Sequence, residues 1–409
     1  MTIINIIPDD KFSVNLIKFN NAFRIAGVRH RYVLLRKTDG NPTRGITEIE
    51  DLTVEDLCDA INGCDALFIH GYADYTSYIL LSTPKHVKVF WFSWGYDIYS
   101  PIRINEDEQR LLGLGFSFLP FVAKAALVNM RLFGQATLPF CSSRNRIKEL
   151  AMRLAWKTIL RKRCLALEQI MQNAIRRVDY YSGVFPEEYH LISRNSFFQA
   201  TRFMYAYVNL ESDINIEDVN AYTPQGANIQ IGNSGAEYNN HLDVFNALKR
   251  LPIRCDRIFV PLSYCGSPRY VKAVIETGRQ YFKEKFFSLT QFMPFGEYNK
   301  LVKSCGNVII GSERQHAVGN IEMALWRGAK VYLSKTSLNY SHFKKMGFTV
   351  FSIQDDLTDT NLSTRLNRDE VIRNRAILRK IYNTEAYRNM LSDLYSLISS
   401  PQSSCNSKC

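Results

Sequence analysis

Residues Ile229 to Leu242 read IQIGNSGAEYNNHL. An apolar run, Ile229 to Ile231, stops at Gly232-Asn233-Ser234-Gly235, and a helical pattern follows from near Asn239 to Lys249. Strand, small-residue turn and helix form the repeating unit of an open α/β sheet, in which ligands sit at the carboxyl ends of the strands. A turn of this kind offers backbone N–H groups and the positive end of a helix to an anion, phosphate first among them. Gly-Asn-Ser-Gly lacks the GxGxxG spacing of a dinucleotide fingerprint and the GK[ST] of a P-loop, so read alone it is equally good as punctuation.

The alternation continues towards the carboxyl end. Strands are predicted at 257–262, 285–289, 307–311, 330–333 and 349–352, with helices at 268–281, 295–304, 318–327 and 338–346 between them and further helices from about 368 to 399. Upstream, Ile3–Ile7, Tyr32–Leu35, Ala66–Ile69 and Val87–Phe92 are short apolar strands separated by helical stretches near Val14–Ala26, Val54–Ile61 and Tyr75–Leu81. Strands return at Asp179–Ser182 and Phe203–Tyr207. Two βα series of this kind build two parallel sheets. The expected architecture is two Rossmann-like doubly wound domains facing across a cleft, at 1–215 and 225–365. The acidic then Pro/Gly-bearing stretch Glu211–Asn228 would link them, C-terminal helices would occupy 366–398, and a Ser-rich disordered tail 399–409.

Composition narrows the class. At 409 residues, 46% apolar and 22% charged, the chain suffices for two domains with real cores. Met1 to Pro8 reads as a strand, without the basic start and cleavage site of a signal peptide. Nine cysteines lie scattered without a CxxC pair, which favours reduced thiols in a cytoplasmic protein and supports neither a disulfide scaffold nor a zinc site.

The net charge of +12 is concentrated in one segment. Between Lys124 and Arg177 stand twelve Lys/Arg against only Glu149 and Glu168, and just upstream Leu111 to Val128 carries a single charge, Lys124. Gly113, Gly115 and Pro120 interrupt that apolar run, so a spanning helix, which needs about 20 apolar residues, is not expected. An apolar and basic insertion at 101–177, meeting an anionic membrane surface through 111–177, fits better. A buried apolar hairpin beside a solvated basic face is the bland alternative. Nucleic acid is disfavoured because the apolar residues form a block and are not aromatics interleaved with the charges.

Residues able to carry chemistry collect at strand ends. His70-Gly71 closes one strand, and the next runs into Trp91-Phe92-Ser93-Trp94-Gly95-Tyr96-Asp97-Ile98-Tyr99. Trp91, Trp94 and Tyr99 can face the apolar side of a sugar ring, and Asp97 or His70 can accept a proton. Against this stand core packing for the Trp residues and a turn or cap role for Asp97. In the second series Tyr264 follows a strand, and Arg314-Gln315-His316 leads to Gly319, Asn320 and Glu322 on a helix. Arg314 can hold a diphosphate bidentately, with the helix dipole beside it; its alternative is a surface ion pair.

At these residues the chain resembles a known family. His70-Gly71, Trp91-x-x-Trp94-Gly95-x-Asp97-Ile98-Tyr99, Gly232-Asn233-Ser234-Gly235 with Asn239 and His241, Pro261 with Tyr264, and Arg314-Gln315 with Gly319 and Gly328 are similar to the 4-acetamido-4,6-dideoxygalactose (Fuc4NAc) transferases of enterobacterial common antigen, glycosyltransferase family 56. The resemblance implies a GT-B type enzyme. It would pass a deoxy-amino sugar from a dTDP-sugar to a polyprenyl-diphosphate-linked saccharide at the cytoplasmic face of the bacterial inner membrane, as a peripheral protein. Two departures are the extra length around 101–150 and Glu322, where an uncharged residue is usual, so common antigen, O-antigen and capsule synthesis all stay open.

Residues and resemblance agree on mechanism class. The chain has no Asp-x-Asp triplet, so the leaving diphosphate is expected to be stabilised without metal or cofactor, by Gly232, Asn233, Ser234 and Gly235 with Tyr264, Arg314, Gln315, Gly319, Asn320 and Glu322. Asp97, His70 and Arg314 are the expected catalytic groups. A non-catalytic nucleotide-sugar- or glycan-binding protein on the same fold is the competing reading.

Overall fold

The structure, a computed structural model, describes residues 1–8, 11–34, 46–50, 52–72, 76–95, 97–99, 169–206, 226–291, 293 and 295–400. Most of the apolar and basic insertion, the centre of the expected linker and nearly all of the Ser-rich tail therefore lie outside the described residues. Two compact units result.

The runs Ala66–His70 and Lys88–Phe92 at the middle of the first unit are buried on both faces, which suits a parallel sheet covered on both sides. Its strands are β1 (Thr2–Ile7), β2 (Arg29–Leu34), β3 (Ile49–Glu50), β4 (Ala66–His70), β5 (Lys88–Phe92), β6 (Tyr180–Ser182) and β7 (Thr201–Arg202). All pair in parallel, in the order β3-β2-β1-β4-β5-β6-β7. Because side chains alternate, Ile4, Ile6, Leu67, Ile69, Val89 and Trp91 build the core on one face, under α2 (Val54–Asn62). Ile3, Ile7, Phe68, Phe90 and Phe92 build the other, under α1 (Lys11–Ala22). Strand β3 went unanticipated because a two-residue edge strand carries no periodicity to read. The segment around Phe203 pairs two residues earlier than expected.

Helices α3 (Thr76–Ser82) and α4 (Pro186–Ile192) also belong to this unit.

The second unit carries β8 (Asn228–Ile231), β9 (Ile258–Pro261), β10 (Phe286–Leu289), β11 (Cys305–Ile310), β12 (Lys330–Leu333) and β13 (Phe351–Ser352). Their order, β10-β9-β8-β11-β12-β13, is again parallel and doubly wound. The order reverses between β8 and β11, as it does between β1 and β4 in the first sheet. Around this sheet lie α5 (His241–Leu248), α6 (Pro268–Phe282), α7 (Phe295–Lys303), α8 (Val318–Arg327) and α9 (Leu338–Lys345).

The C-terminal helices are not one separate piece. Helix α10 (Arg368–Ile381) stays with the second unit, where the buried Arg375 donates to the Trp326 carbonyl at the end of α8. Helix α11 (Thr384–Ser399) belongs to the first unit. Its Tyr387, Leu391, Leu394 and Ile398 complete the core against Ile3, Phe68 and Phe19, and Lys88 donates to the Leu397 carbonyl at the negative end of the helix. The helix returns because the second face of a sheet must be covered, and with α1 it closes the cluster that holds Ile3, Phe19 and Phe68.

Candidate active site

In the second unit the site is built at the switch point, where the chain leaves β8 and β11. The first turn is closed by Gly232, at φ +68°, whose N–H donates to the Ile309 carbonyl at 2.9 Å. A side chain is excluded there, since a Cβ would lie 2.6 Å from His241 Nε2 and 3.1 Å from Asn239 Oδ1. Asn239 clamps the turn from within. Its Oδ1 accepts from Asn233 N–H at 3.3 Å, and its Nδ2 donates to Ser234 O and Oγ, each at 3.1 Å. Asn240, at φ 53°, begins α5 and donates to the Gly311 carbonyl at 2.8 Å, tying the two turns together.

The turn after β9 interlocks with this one. Gly235 N–H donates to the Tyr264 carbonyl, and a Cβ on Gly266 would stand 1.9 Å from the Gly235 carbonyl oxygen. Tyr264 is left 44% exposed, its hydroxyl accepting from Asn233 Nδ2 at 3.2 Å.

Arg314 sits in the turn after β11 with its guanidinium 3.7 Å above the Tyr238 ring. Stacking of this kind holds the cation's plane while its edges stay directed to hydrogen bonding. Tyr238 also meets His316 edge-on at 4.6 Å, and His316 Nε2 lies 2.6 Å from Asn233 Oδ1. Burial, with Arg314 adjacent, pushes the His316 imidazole down to about 3, so it is neutral. Helix α8 then starts with no side-chain cap and no acid in its first turn, which leaves its N–H groups and positive dipole end for an anion. Gly319 has open space around it. Asn320 accepts from Tyr298, whose hydroxyl also receives Gln230 Nε2.

Of the residues expected here, Gly232, Asn233, Ser234, Gly235, Tyr264, Arg314, Gln315, Gly319 and Asn320 all fall in the turns after β8, β9 and β11 or the first turn of α8. Glu322 does not join them. It is buried on α8, bonded to the hydroxyl of Tyr382 just after α10, and burial raises its carboxyl to about 7. Asn240 and Tyr238 went unread, and Asn239 was read only as part of the family motif, not as a residue of the site. The paired asparagines before a helix were a cap signal, whereas no local signal marks Tyr238, which meets Arg314 only through the fold.

In the first unit the strand ends give a different result. Trp91, expected to meet sugar, is fully buried in the core and donates to Asp97 Oδ2 at 2.8 Å. As the fourth residue of β5, with every residue of the strand buried, it has no face to offer. Asp97, expected as a proton acceptor, is buried with both oxygens engaged. Tyr72 N–H joins Trp91 on Oδ2 at 2.9 Å, and Ser93 Oγ and Trp94 N–H reach Oδ1 at 3.0 Å. Four donors into one carboxylate organise the loop after β5; desolvation by burial nonetheless raises its pKa. Trp94 and Tyr99 keep partial exposure, and Tyr99 donates to the buried Glu188 at 2.9 Å. His70 belongs to another network, its ring stacked on Phe92 at 4.6 Å and its Nε2 3.1 Å from Asn5 Oδ1. Trp94 borders both, 6.4 Å from the His70 ring.

Among the described residues no three His, Cys, Asp or Glu side chains converge as a metal set, and no helix is long and apolar enough to cross a membrane.

Solved structures share this arrangement. HepE of Anabaena with bound UDP is 10% identical with a TM-score of 0.61, over 97% of this chain and 100% of its own. The sucrose-phosphate synthase of Thermosynechococcus elongatus is 12% identical with a TM-score of 0.57, over 97% and 99%. The lipopolysaccharide outer core galactosyltransferase WaaB is 10% identical with a TM-score of 0.53, over 97% and 100%. At such identity the likeness establishes the fold, GT-B with two Rossmann-like domains. A sequence model described as 4-alpha-L-fucosyltransferase, glycosyl transferase group 56, matches residues 158–385, more than half of the chain. With that match added to the paired doubly wound sheets, the chain belongs to glycosyltransferase group 56.

Proposed function

We propose that this glycosyltransferase moves a Fuc4NAc-like deoxy-amino sugar from a dTDP-sugar to a polyprenyl-diphosphate-linked saccharide in bacterial surface polysaccharide synthesis, peripherally at the cytoplasmic face of the inner membrane. The observation that carries the donor half is Arg314, stacked on Tyr238 beside the uncapped start of α8 at the switch point of the second sheet. A donor diphosphate placed there meets a fixed cation and a helix dipole, beside a turn whose Gly232, Asn233 and Gly235 N–H groups hold the turn itself in shape. The UDP complexes of HepE, a protein of the same fold, support a nucleotide-sugar donor.

In the transfer, an acceptor hydroxyl oxygen bonds to the anomeric carbon. The bond from that carbon to the diphosphate oxygen breaks with its electron pair staying on dTDP. Arg314 and the N-terminal end of α8 stabilise the charge that develops, and need no metal to do so. The hydroxyl proton passes to a base, for which Asp97 and His70 are the expected candidates; both are buried, Asp97 with its two oxygens committed to the loop after β5 and His70 with Nε2 on Asn5. Trp94 and Tyr99 offer aromatic surface for the acceptor sugar.

The test pairs binding with turnover. A matching dTDP-sugar should raise the melting temperature, since ligand at 100 times its dissociation constant adds about 2.7 kcal/mol, and lipid-linked acceptor should then release dTDP. The protein should also pellet with anionic vesicles and come off in high salt, as the twelve cations of 124–177 require. Stabilisation without dTDP release would make the chain a binding protein. No stabilisation by any dTDP- or UDP-sugar would overturn the donor assignment.

A further inference from the structure

Gln230 stands on the face of β8 opposite Ile229 and Ile231, which join the core under α5 and α6. At 1% exposure its amide must find partners or destabilise the fold. Its Nε2 lies 3.1 Å from the Gly232 carbonyl and 3.3 Å from the Tyr298 hydroxyl of α7, and that hydroxyl lies 3.2 Å from Asn320 Oδ1 in the first turn of α8. A row of hydrogen bonds thus runs across the switch point, from the turn after β8 to the start of α8.

The polarity of this row follows from its one unambiguous member. A backbone carbonyl only accepts, so the Gly232 oxygen fixes which end of the Gln230 amide is nitrogen. The Tyr298 oxygen then accepts from Gln230, and its own hydrogen is left for Asn320. Burial pushes the phenol up to about 12, so that hydrogen is retained at neutral pH. A hydroxyl hydrogen needs an acceptor, so Asn320 turns Oδ1 to Tyr298 and directs Nδ2, with its two hydrogens, elsewhere. Asn320 is half-exposed, makes no other hydrogen bond among the described residues, and leaves its Nδ2 open to solvent. Beside it Gly319 is exposed with open space around it, and α8 starts with no side-chain cap and no acid in its first turn. Gln230 Oε1 and Ser312 Oγ, the latter in the turn between β11 and α8, are buried with no partner among the described residues. Polar capacity that a protein ordinarily satisfies from within is left over on the approach to α8.

We propose that Asn320 is a nucleotide-binding residue, giving its Nδ2 hydrogens to a phosphate oxygen of the nucleoside diphosphate, and that Gln230 and Tyr298 are positioning residues that keep its amide from flipping. This rests on the reading of the second unit as the donor site. The two ends of an amide are alike in shape and opposite in polarity, so an untethered asparagine would turn its oxygen to the anion as readily as its nitrogen. Tethering Oδ1 removes that choice before the ligand arrives, which lowers the entropy lost on binding. The residue type fits the same role. Asn320 is the third residue of α8, where the helix by itself favours an acid. A neutral donor forgoes that stabilisation at a point where an acid would repel a phosphate.

Calorimetry on the full chain with dTDP, pyrophosphate and thymidine tests this, with thermal melting alongside. Asn320→Asp keeps an acceptor for Tyr298 and supplies the acid that the helix start favours. Its melting temperature is expected to hold or rise, while dTDP and pyrophosphate bind at least about tenfold more weakly and thymidine is unaffected. Tyr298→Phe frees the amide and is expected to weaken dTDP severalfold in the wild-type background, yet to add nothing in Asn320→Ala. A merely structural Tyr298 would cost affinity in both backgrounds, and that result overturns the positioning role. Wild-type dTDP affinity in Asn320→Asp overturns the contact with the nucleotide, and a loss for dTDP without a loss for pyrophosphate overturns its assignment to phosphate. Wild-type protein that binds neither dTDP nor pyrophosphate overturns the donor-site reading as well, an outcome kept apart from the others by the wild-type binding that each of them retains.

Discussion

Replacing Gly232 by alanine should cost stability and donor affinity together. The residue has φ +68°, a left-handed conformation that costs a side-chain-bearing residue about 1 kcal/mol. The new methyl group would also stand 2.6 Å from His241 Nε2 and 3.1 Å from Asn239 Oδ1. His241 cannot swing away cheaply, being fully buried with its backbone N–H 3.1 Å from the Tyr270 hydroxyl. Forcing such a group aside typically costs about 1–3 kcal/mol. The sum, about 2–4 kcal/mol, should lower the denaturant midpoint without changing the slope of the transition. A double-mutant cycle separates the two contributions. In a His241→Ala background the larger part of the steric share disappears, leaving the backbone strain of about 1 kcal/mol and the contact with Asn239, so the two substitutions couple by about 1–3 kcal/mol. A cost in Gly232→Ala below about 0.5 kcal/mol, or strict additivity with His241→Ala, would refute this account of the turn.

Arg314→Ala should weaken nucleotide-sugar binding by about 1.5–3 kcal/mol, the worth of a charged hydrogen bond, and remove transfer, as calorimetry and dTDP release would report; wild-type turnover would exclude Arg314 from the site. Asp97→Asn leaves an amide nitrogen facing two donors of the β5 loop, so it should destabilise the protein by roughly 2–4 kcal/mol, and unchanged stability in denaturant would restore Asp97 as a candidate base. Burial raises the Glu188 carboxyl to about 7 in the folded protein. The native state therefore holds its proton where the unfolded chain has lost it, and stability should fall as pH rises from about 4.5 to about 7. Glu188→Gln should flatten that descent in denaturation curves taken across the range, and an unaltered pH dependence would count against the burial of this acid.

Much of this architecture was legible in local pattern. The βα alternation, the two parallel sheets and the turn at Gly232 follow from runs of β-branched residues too short for helices and from small residues that only a turn requires. The family motifs pointed to the same strand ends, and Arg314 and the Gly232–Gly235 turn do meet at one switch point. What local pattern could not decide is direction and burial. Trp91 and Trp94 stand three residues apart in one motif, yet one is sealed in the sheet and the other borders the loop, because the pleat sends alternate side chains to opposite faces and the end of the sheet then frees the chain. Asp97 read as a base and is a loop organiser, since its four donors come from backbone and side chains that converge only after folding. The last two helices read as a pair, and the uncovered face of the first sheet claims the second of them. Asn5, His30 and His70 are separated by 25 and 40 residues. Only parallel pairing of β1 with β2 and β4 places them side by side, so the hydrogen bonds that link them are a property of the tertiary structure alone.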